Sequence, residues 1–407
     1  MTERFKRLLV LGGFFLLVAV IAIALYLVFF RGIARGPTEI AEEEAAEEEA
    51  TGGLPSAGEG GPTADGEDEE EEEALPTSEV ADGGLTETTR LTTSEVLAPT
   101  LAADGKSVAF YDPSTGKFYT INEDGELELL SDATFPNAET IVWSDTSEEV
   151  IIEFPDGSNV IYDFVTQDQT TLPAHWEDFD FSPDGEQLIA KNEAIDPNAR
   201  TLVITSTDTS KTTVVAALGQ NGDKVDVSWS PNEQVVAFSD TGTEQTGFGR
   251  NMIVPIGKNE ENYNGLIVEG INFSAIWSPD GTRIVYDVTG ELSNYKPLLW
   301  VVDGTASTMG DDRQSLGLNT WVDKCTFSDN TTLYCAVPLL LENNAGLQRD
   351  LYDTDDAVYK INIDSGRITL VGIPDSSTSM ENLTVSADGS LLYYTDYRDR
   401  LQYMRLR

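Results

Sequence analysis

The chain has 407 residues, of which 40 % are apolar, and a formal charge of −46. That length and apolar fraction allow one large packed domain with additional segments, whereas the charge argues against nucleic acid as a partner, because phosphates would be repelled. The charge is unevenly spread: residues 1–35 hold five Lys/Arg and one Glu, residues 36–83 hold eighteen Asp/Glu and no Lys/Arg, and the remainder carries −32 by difference.

Residues 8–30, opening on Leu8 and closing on Phe30, form an uninterrupted apolar run weakened only by Gly12 and Gly13. A helix of that length spans the hydrocarbon core of a bilayer, about 30 Å thick, and a soluble helix is seldom apolar on every face. Arg4, Lys6 and Arg7 precede the run, and Arg31 and Arg35 follow it. The basic bias predicts residues 1–7 in the cytoplasm and everything beyond the span outside the cell membrane, either periplasmic or extracellular. A cleaved signal peptide would carry a shorter apolar region and a small-residue cleavage site, so the reading is a retained single-pass anchor in contact with lipid. Residues 31–83 then read as a disordered acidic linker. Its runs at Glu42, Glu43 and Glu44, at Glu47, Glu48 and Glu49, and from Glu69 to Glu73 repel one another, and too little apolar surface is present to offset ordering. A solvated spacer is the plain reading; a docking tail or a brush that collects cations is the sharper one.

From residue 84 to residue 407 one unit recurs. Its fullest copy is Ile276, Trp277, Ser278, Pro279, Asp280, Gly281, Thr282, Arg283, Ile284, Val285, Tyr286: an apolar run, an aromatic, a Ser-Pro-Asp-Gly corner and a second apolar run. Proline presets φ, aspartate bonds its own backbone, and glycine takes the left-handed φ that closes the turn. The fourth residue of each corner falls at Asp104, Thr146, Asp184, Asn232, Asp280, Asn330 and Asp388, with gaps of 42, 38, 48, 48, 50 and 58. A period of about 40–50 residues built of strands is the signature of propeller blades. Four strands fit each unit. The last unit supplies only three, while Thr88, Thr89, Arg90, Leu91 and Thr92 read as a fourth strand ahead of the first corner. Pairing that strand with the final unit closes a ring of seven blades and removes an exposed edge. The prediction is an all-β, seven-bladed β-propeller over residues 84–407.

These W/F-S-P-D-G units resemble the TolB-type (WD40-like, PD40) propeller repeat, and Arg90, Leu91 and Thr92 resemble the arginine-leucine-threonine that ends that family's repeat. The resemblance implies the fold and assigns structural roles to the motif residues; it implies no activity. The corners at Asp145, Thr146 and Ser147, at Pro231, Asn232 and Glu233, and at Asp329, Asn330 and Thr331 depart from the pattern.

Chemistry is sparse. His175 is the one histidine, and no Gly-x-Ser-x-Gly elbow accompanies it, so it reads as a structural or channel-mouth residue. Cys325 and Cys335 fall on the two strands of one hairpin, where they are either a disulfide or two buried thiols. Asp350, Asp353, Asp355 and Asp356 form an oxygen-rich run that could take calcium but lacks the glycine-containing loop of an EF-hand; a solvated acidic loop is the plainer reading. No other cofactor is expected. The Asn272, Asn330 and Asn382 sequons fall on strands or a tight corner and read as chance matches.

Topology points further. In a four-stranded blade the links between the second and third strands share one face with the links between blades. Here those second-to-third links are long at residues 192–199, 240–251, 289–296 and 338–356, and loops longer than a turn requires often carry function. That rim is expected to present Phe248, Arg250, Tyr295, Leu339, Leu340, Leu341, Arg349 and Tyr352 to a protein or peptide partner. Glu139, Asp178, Asp226, Asp323 and Glu381 begin inner strands and, with His175, are expected at the channel mouth. The sequence thus predicts a membrane-held binding or scaffold module. The alternative is an extracytoplasmic hydrolase or lyase using those acids, or bound calcium, at the channel.

Overall fold

The computed structural model describes residues 76–407 apart from Phe248, Glu260, Asn262 and Asp353, and apart from the side chain of Asp350. The predicted span at residues 8–30 and most of the acidic linker lie outside the described residues. Among the described residues no helix is long and apolar enough to cross a membrane.

Seven blades are present. Their first strands, in chain order, are Leu97–Leu101, Thr140–Trp143, Trp176–Phe181, Val225–Val227, Ile271–Trp277, Cys325–Phe327 and Glu381–Val385. Each opens an antiparallel sheet in which consecutive strands pair in sequence order, and the first strands pack beside one another around the central channel. The corners between first and second strands are variants of one turn. In the fullest copy the Ser278 hydroxyl donates to Asp280 Oδ1 at 2.7 Å, Thr282 N donates to the same oxygen at 3.0 Å, and Gly281 closes the turn at φ +66°. In the degraded corners Ser147 and Glu233 take the glycine's place at φ +57°. The sixth corner is shorter, and Asp329, not Asn330, accepts the turn amides of Thr331 and Thr332 at 2.9 Å. The Ser390 hydroxyl and amide and the Ser386 hydroxyl hold Asp388 down at about 2.

The second strands explain why simple alternation fails in this sequence. Each lies inside a disc of blades and faces a neighbour on both sides, so it is apolar throughout. In Arg283–Thr289, Ile284 and Tyr286 pack toward blade 4, whereas Val285 packs toward blade 6. In Glu149–Glu153, Ile151 faces blade 3 while Val150 and Ile152 face blade 1. The core is therefore distributed among the seven blade interfaces, each with its own apolar cluster. Each Ile, Leu, Val or Phe buried there contributes about 1.5–3 kcal/mol relative to exposure.

The ring closes as expected. Thr88–Arg90 pairs antiparallel with Leu401–Arg405, setting Thr88 opposite Met404 and Arg90 opposite Gln402. One strand was not foreseen. Leu85–Thr86 runs parallel to the outer strand of blade 6 and makes it five-stranded. Upstream, Ala81 N donates to Arg405 O and Gly83 N to Val371 O, so residues 78–83, assigned to the linker by composition, are bonded into the propeller. Backbone pairing needs no apolar side chain, which is why composition missed it.

Cys325 and Cys335 face each other across the first hairpin of blade 6 and are joined as a disulfide with Cα atoms 4.0 Å apart. Replacing both by alanine should lower the unfolding free energy by about 2–3 kcal/mol, seen as a shift in urea midpoint. An unchanged midpoint would mean that the bond adds nothing to the packed hairpin.

The first strands of blades 1, 3, 5 and 7 share a further device. Each has a bulge, and each places a non-glycine residue in the left-handed region there: Ala98, Asp178, Asn272 and Asn382. Asparagine and aspartate tolerate that conformation better than most residues. Asn272 then donates to Gly346 O at 3.0 Å and Asn382 to Thr395 Oγ1 at 3.0 Å. At Asn272 and Asn382 the residue type thus meets a demand of the backbone.

Candidate binding face

The second-to-third links and the links between blades emerge together on one face, where the first strands also begin. Three features occupy it.

The channel mouth is the first. Over blades 2 and 3 it is acidic. Glu139 N donates to Glu153 O, so both residues stand at the same end of blade 2, and the bulge at Asp178 turns that carboxylate onto Lys191 Nζ at 2.9 Å. Burial, reinforced by Asp178, Glu177 and Glu139, pushes Glu153 up to about 7. Asp226 is likewise raised by burial and by the charge of Asp178. His175 is exposed, and its carbonyl accepts from Glu193 N. Over blades 5 to 7 the mouth is a charge network. Buried Lys324 donates to Asp356 Oδ2 at 2.7 Å and lies 3.5 Å from Glu381 Oε1. Arg349 spans Asp323 at 2.5 Å and Glu381 at 3.1 Å, its guanidinium 5.1 Å from the Trp321 ring.

The second feature is the link between the second and third strands of blade 6, a strap whose residues 344–346 reach over blade 5. Asn344 N donates to Asn294 O at 2.9 Å and Gly346 N to Tyr295 O at 3.0 Å. Beneath it Trp321, Leu341 and Ala345 make a small core of their own, with Tyr352 packed against them. Gly346 is required by proximity: a Cβ there would meet Thr289 Oγ1 at 2.2 Å. Gly346→Val should therefore lift the strap while leaving the blades intact. The expected result is rapid amide exchange over residues 339–355 with a melting temperature changed by less than about 3 °C; unchanged protection of those amides would refute it.

The third feature is a cleft of about 710 Å³ between the loops of blades 4 and 5, lined by Arg250, Glu269, Ile271, Thr289, Leu292 and Tyr295 among others. Its exposed lining is mostly apolar. Arg250 does not point free into it. Nη2 and Nε donate to Glu269 Oε1 at 2.7 and 3.1 Å, and Arg313 Nη2 reaches the same oxygen at 3.0 Å.

The structure thus sorts the residues chosen from sequence. Arg250 and Tyr295 meet in the cleft, and Leu339 and Leu340 stand exposed on the strap. Leu341 does not belong to the surface: it is 8 % exposed, because the strap needs an anchor of its own. Tyr352 is partly buried in the same core, and Arg349, though still partly exposed, is paired with Asp323 and Glu381 at the mouth. Phe248 lies outside the described residues. Asp356 is drawn inward to Lys324, Asp355 lends its carbonyl to Leu339 N, and Asp353 and the Asp350 side chain are not described. Among the described residues no three His, Cys, Asp or Glu side chains converge to hold a metal ion. Leu292 and Ile271 were missed; an exposed leucine in a long link, beside Tyr295, was the available signal.

Fold and face together define a seven-bladed β-propeller with a structured loop rim over an acidic channel. Neither a protein-family model nor a curated protein matches the sequence. Solved structures do match in fold. Oligogalacturonate lyase from Vibrio parahaemolyticus has a TM-score of 0.55 at 12 % identity, covering 79 % of this chain and 93 % of that one. An oligogalacturonate lyase in complex with manganese has a TM-score of 0.51 at 14 % identity, with coverage of 79 % and 93 %. The β-propeller domain of Cps50 (Swd1) from Myceliophteria thermophila has a TM-score of 0.52 at 11 % identity, with coverage of 79 % and 100 %. At such identities the likeness speaks for the fold alone.

Proposed function

We propose that the protein is a membrane-anchored propeller of TolB type that binds a protein or peptide through its loop face, outside the cell membrane. The apolar cleft beside the strap carries this reading: it is concave, sits on the loop-rich side, and is walled by Tyr295, Leu292 and Ile271. The apolar run at residues 8–30 supports the anchor, and the Cys325–Cys335 bond suits an oxidising compartment. The test is site-specific photocrosslinking in native membranes, with a benzophenone amino acid at Leu292 or, as control, at exposed Val165 in the corner-face loop of blade 2. A discrete adduct from Leu292 and none from Val165 is expected. Equal adducts from both, or none from either, would overturn the reading.

A second reading rests on Glu153. A carboxyl at about 7 among Glu139, Glu177 and Asp178 has the proton affinity of a general base at neutral pH, and two of the fold neighbours are lyases. Turnover of oligogalacturonate that disappears in Glu153→Gln would establish it.

A further inference from the structure

We infer that the loop face takes a cationic amphipathic polypeptide segment, whose apolar side seats on a leucine crest around the blade 4–5 cleft and whose lysines or arginines face the surrounding acids. This deepens the binding reading above and rests on it.

Five leucines are presented on this one face. Leu340 and Leu351 are 74 % and 73 % exposed, and Leu292, Leu339 and Leu347 are exposed as well. A soluble domain usually leaves such residues scattered and singly placed. Here they are held on fixed backbone. The strap is closed by the turn bonds of Leu347 N to Asn344 O and Leu351 N to Gln348 O, and its own small core lies beneath. Leu292 lines the cleft itself, and Leu347 follows Gly346, whose N donates to Tyr295 O on the cleft wall, so the strap meets the cleft at this junction.

Charge selects the occupant. Exposed Asp240, Glu244, Glu291 and Glu342 stand among these loops. The arginines of the face are already committed, Arg250 to Glu269 and Arg349 to Asp323 and Glu381. Half-buried Lys296 of the blade 5 link is outnumbered by these four exposed acids, so what remains outward is apolar and predominantly negative, and its complement is apolar and positive. A second copy would bring another −32 against this surface, and a bilayer rich in anionic lipid would be repelled in the same way.

The probes are fluorescein-labelled 18-residue peptides with leucine at helical spacing and lysine elsewhere, the same pattern with glutamate for lysine, and the lysine pattern with serine for leucine. The protein is the full chain in phosphatidylcholine nanodiscs, with empty discs as the blank. The leucine–lysine peptide should bind at least about tenfold more tightly than either control, and the double change Leu340→Ser with Leu351→Ser should weaken it by about tenfold. Both leucines are exposed, so the variant should melt at the wild-type temperature, which is measured alongside. Raising salt from roughly 50 to 500 mM should weaken binding while leaving the preference for leucine. Equal binding of the lysine–serine peptide would assign the interaction to acidic charge alone, including the linker, and would overturn the proposal. So would equal binding of the leucine–glutamate peptide, or binding that survives the two serines. If the peptide fails while the Leu292 crosslink stands, the partner class is wrong and the binding face is not.

Discussion

Replacing Lys324 by methionine should destabilise the propeller by about 3–5 kcal/mol, the cost of leaving a buried carboxylate without its counter-ion. Lys324 and Asp356 are 3 % and 1 % exposed, and their charged atoms lie 2.7 Å apart. Burial pushes Asp356 up and the Lys324 ammonium pulls it back. The carboxylate also holds blade 7 in place, because Oδ2 accepts from Met380 N at 2.7 Å just before that blade's first strand. Methionine fills a similar volume, so the loss would come from charge and not from a cavity. The double variant Lys324→Met with Asp356→Asn removes both charges while keeping an acceptor for Met380, and should recover most of the stability, to within about 1–2 kcal/mol of the wild type. Urea midpoints for the three proteins decide it. A loss below about 1 kcal/mol in the single variant would mean that water reaches the pair.

That ion pair also marks where the sequence ceased to be informative. The blades were legible because each corner is a local chemical device: Ser278, Asp280 and Gly281 make their turn from bonds within six residues, whatever surrounds them. Even the degraded corners keep enough of it, Ser147 holding the left-handed position and Asp329 accepting the turn amides. Closure was legible because Thr88–Arg90 is a strand with no partner nearby in sequence. Leu85–Thr86 was not legible, since two residues of backbone pairing leave no pattern.

The binding face was legible only by position. Long links identify the rim, but the direction of each side chain depends on contacts far away in sequence. Leu339, Leu340 and Leu341 read identically, yet Leu341 goes inward because Trp321 and Ala345 wait beneath it. Arg349 looks like a free hot-spot residue until Asp323 and Glu381, from the preceding link and the following blade, are brought under it. The cleft itself exists only where the loops of blades 4 and 5 meet.

Stability should fall as pH rises through the neutral range, and Asp287→Asn should remove much of that slope. Asp287 is 2 % exposed. Burial pushes its carboxyl up to about 8; the amide of Val322, donating at 2.9 Å, and the guanidinium of Arg349 pull it down, while Asp323 pushes it further up. In the unfolded chain the same carboxyl titrates near its ordinary value of about 4. Between those limits the folded state holds a proton that the unfolded state has released. The contribution is therefore complete below about pH 4 and is lost as pH rises through about 8. Asparagine cannot ionise, and its carbonyl still accepts from Val322. The stability difference between variant and wild type should accordingly be near zero at about pH 4, widen in the variant's favour by up to about 1.4 kcal/mol per pH unit, and level off above about pH 8. Glu153 and Asp180, both raised to about 7 chiefly by burial, tilt both proteins in the same direction and cancel in the comparison. Denaturant midpoints from pH 5 to pH 9 measure the gap. Parallel curves would mean that Asp287 stays ionised in the folded propeller, with Arg349 holding its charge against the burial.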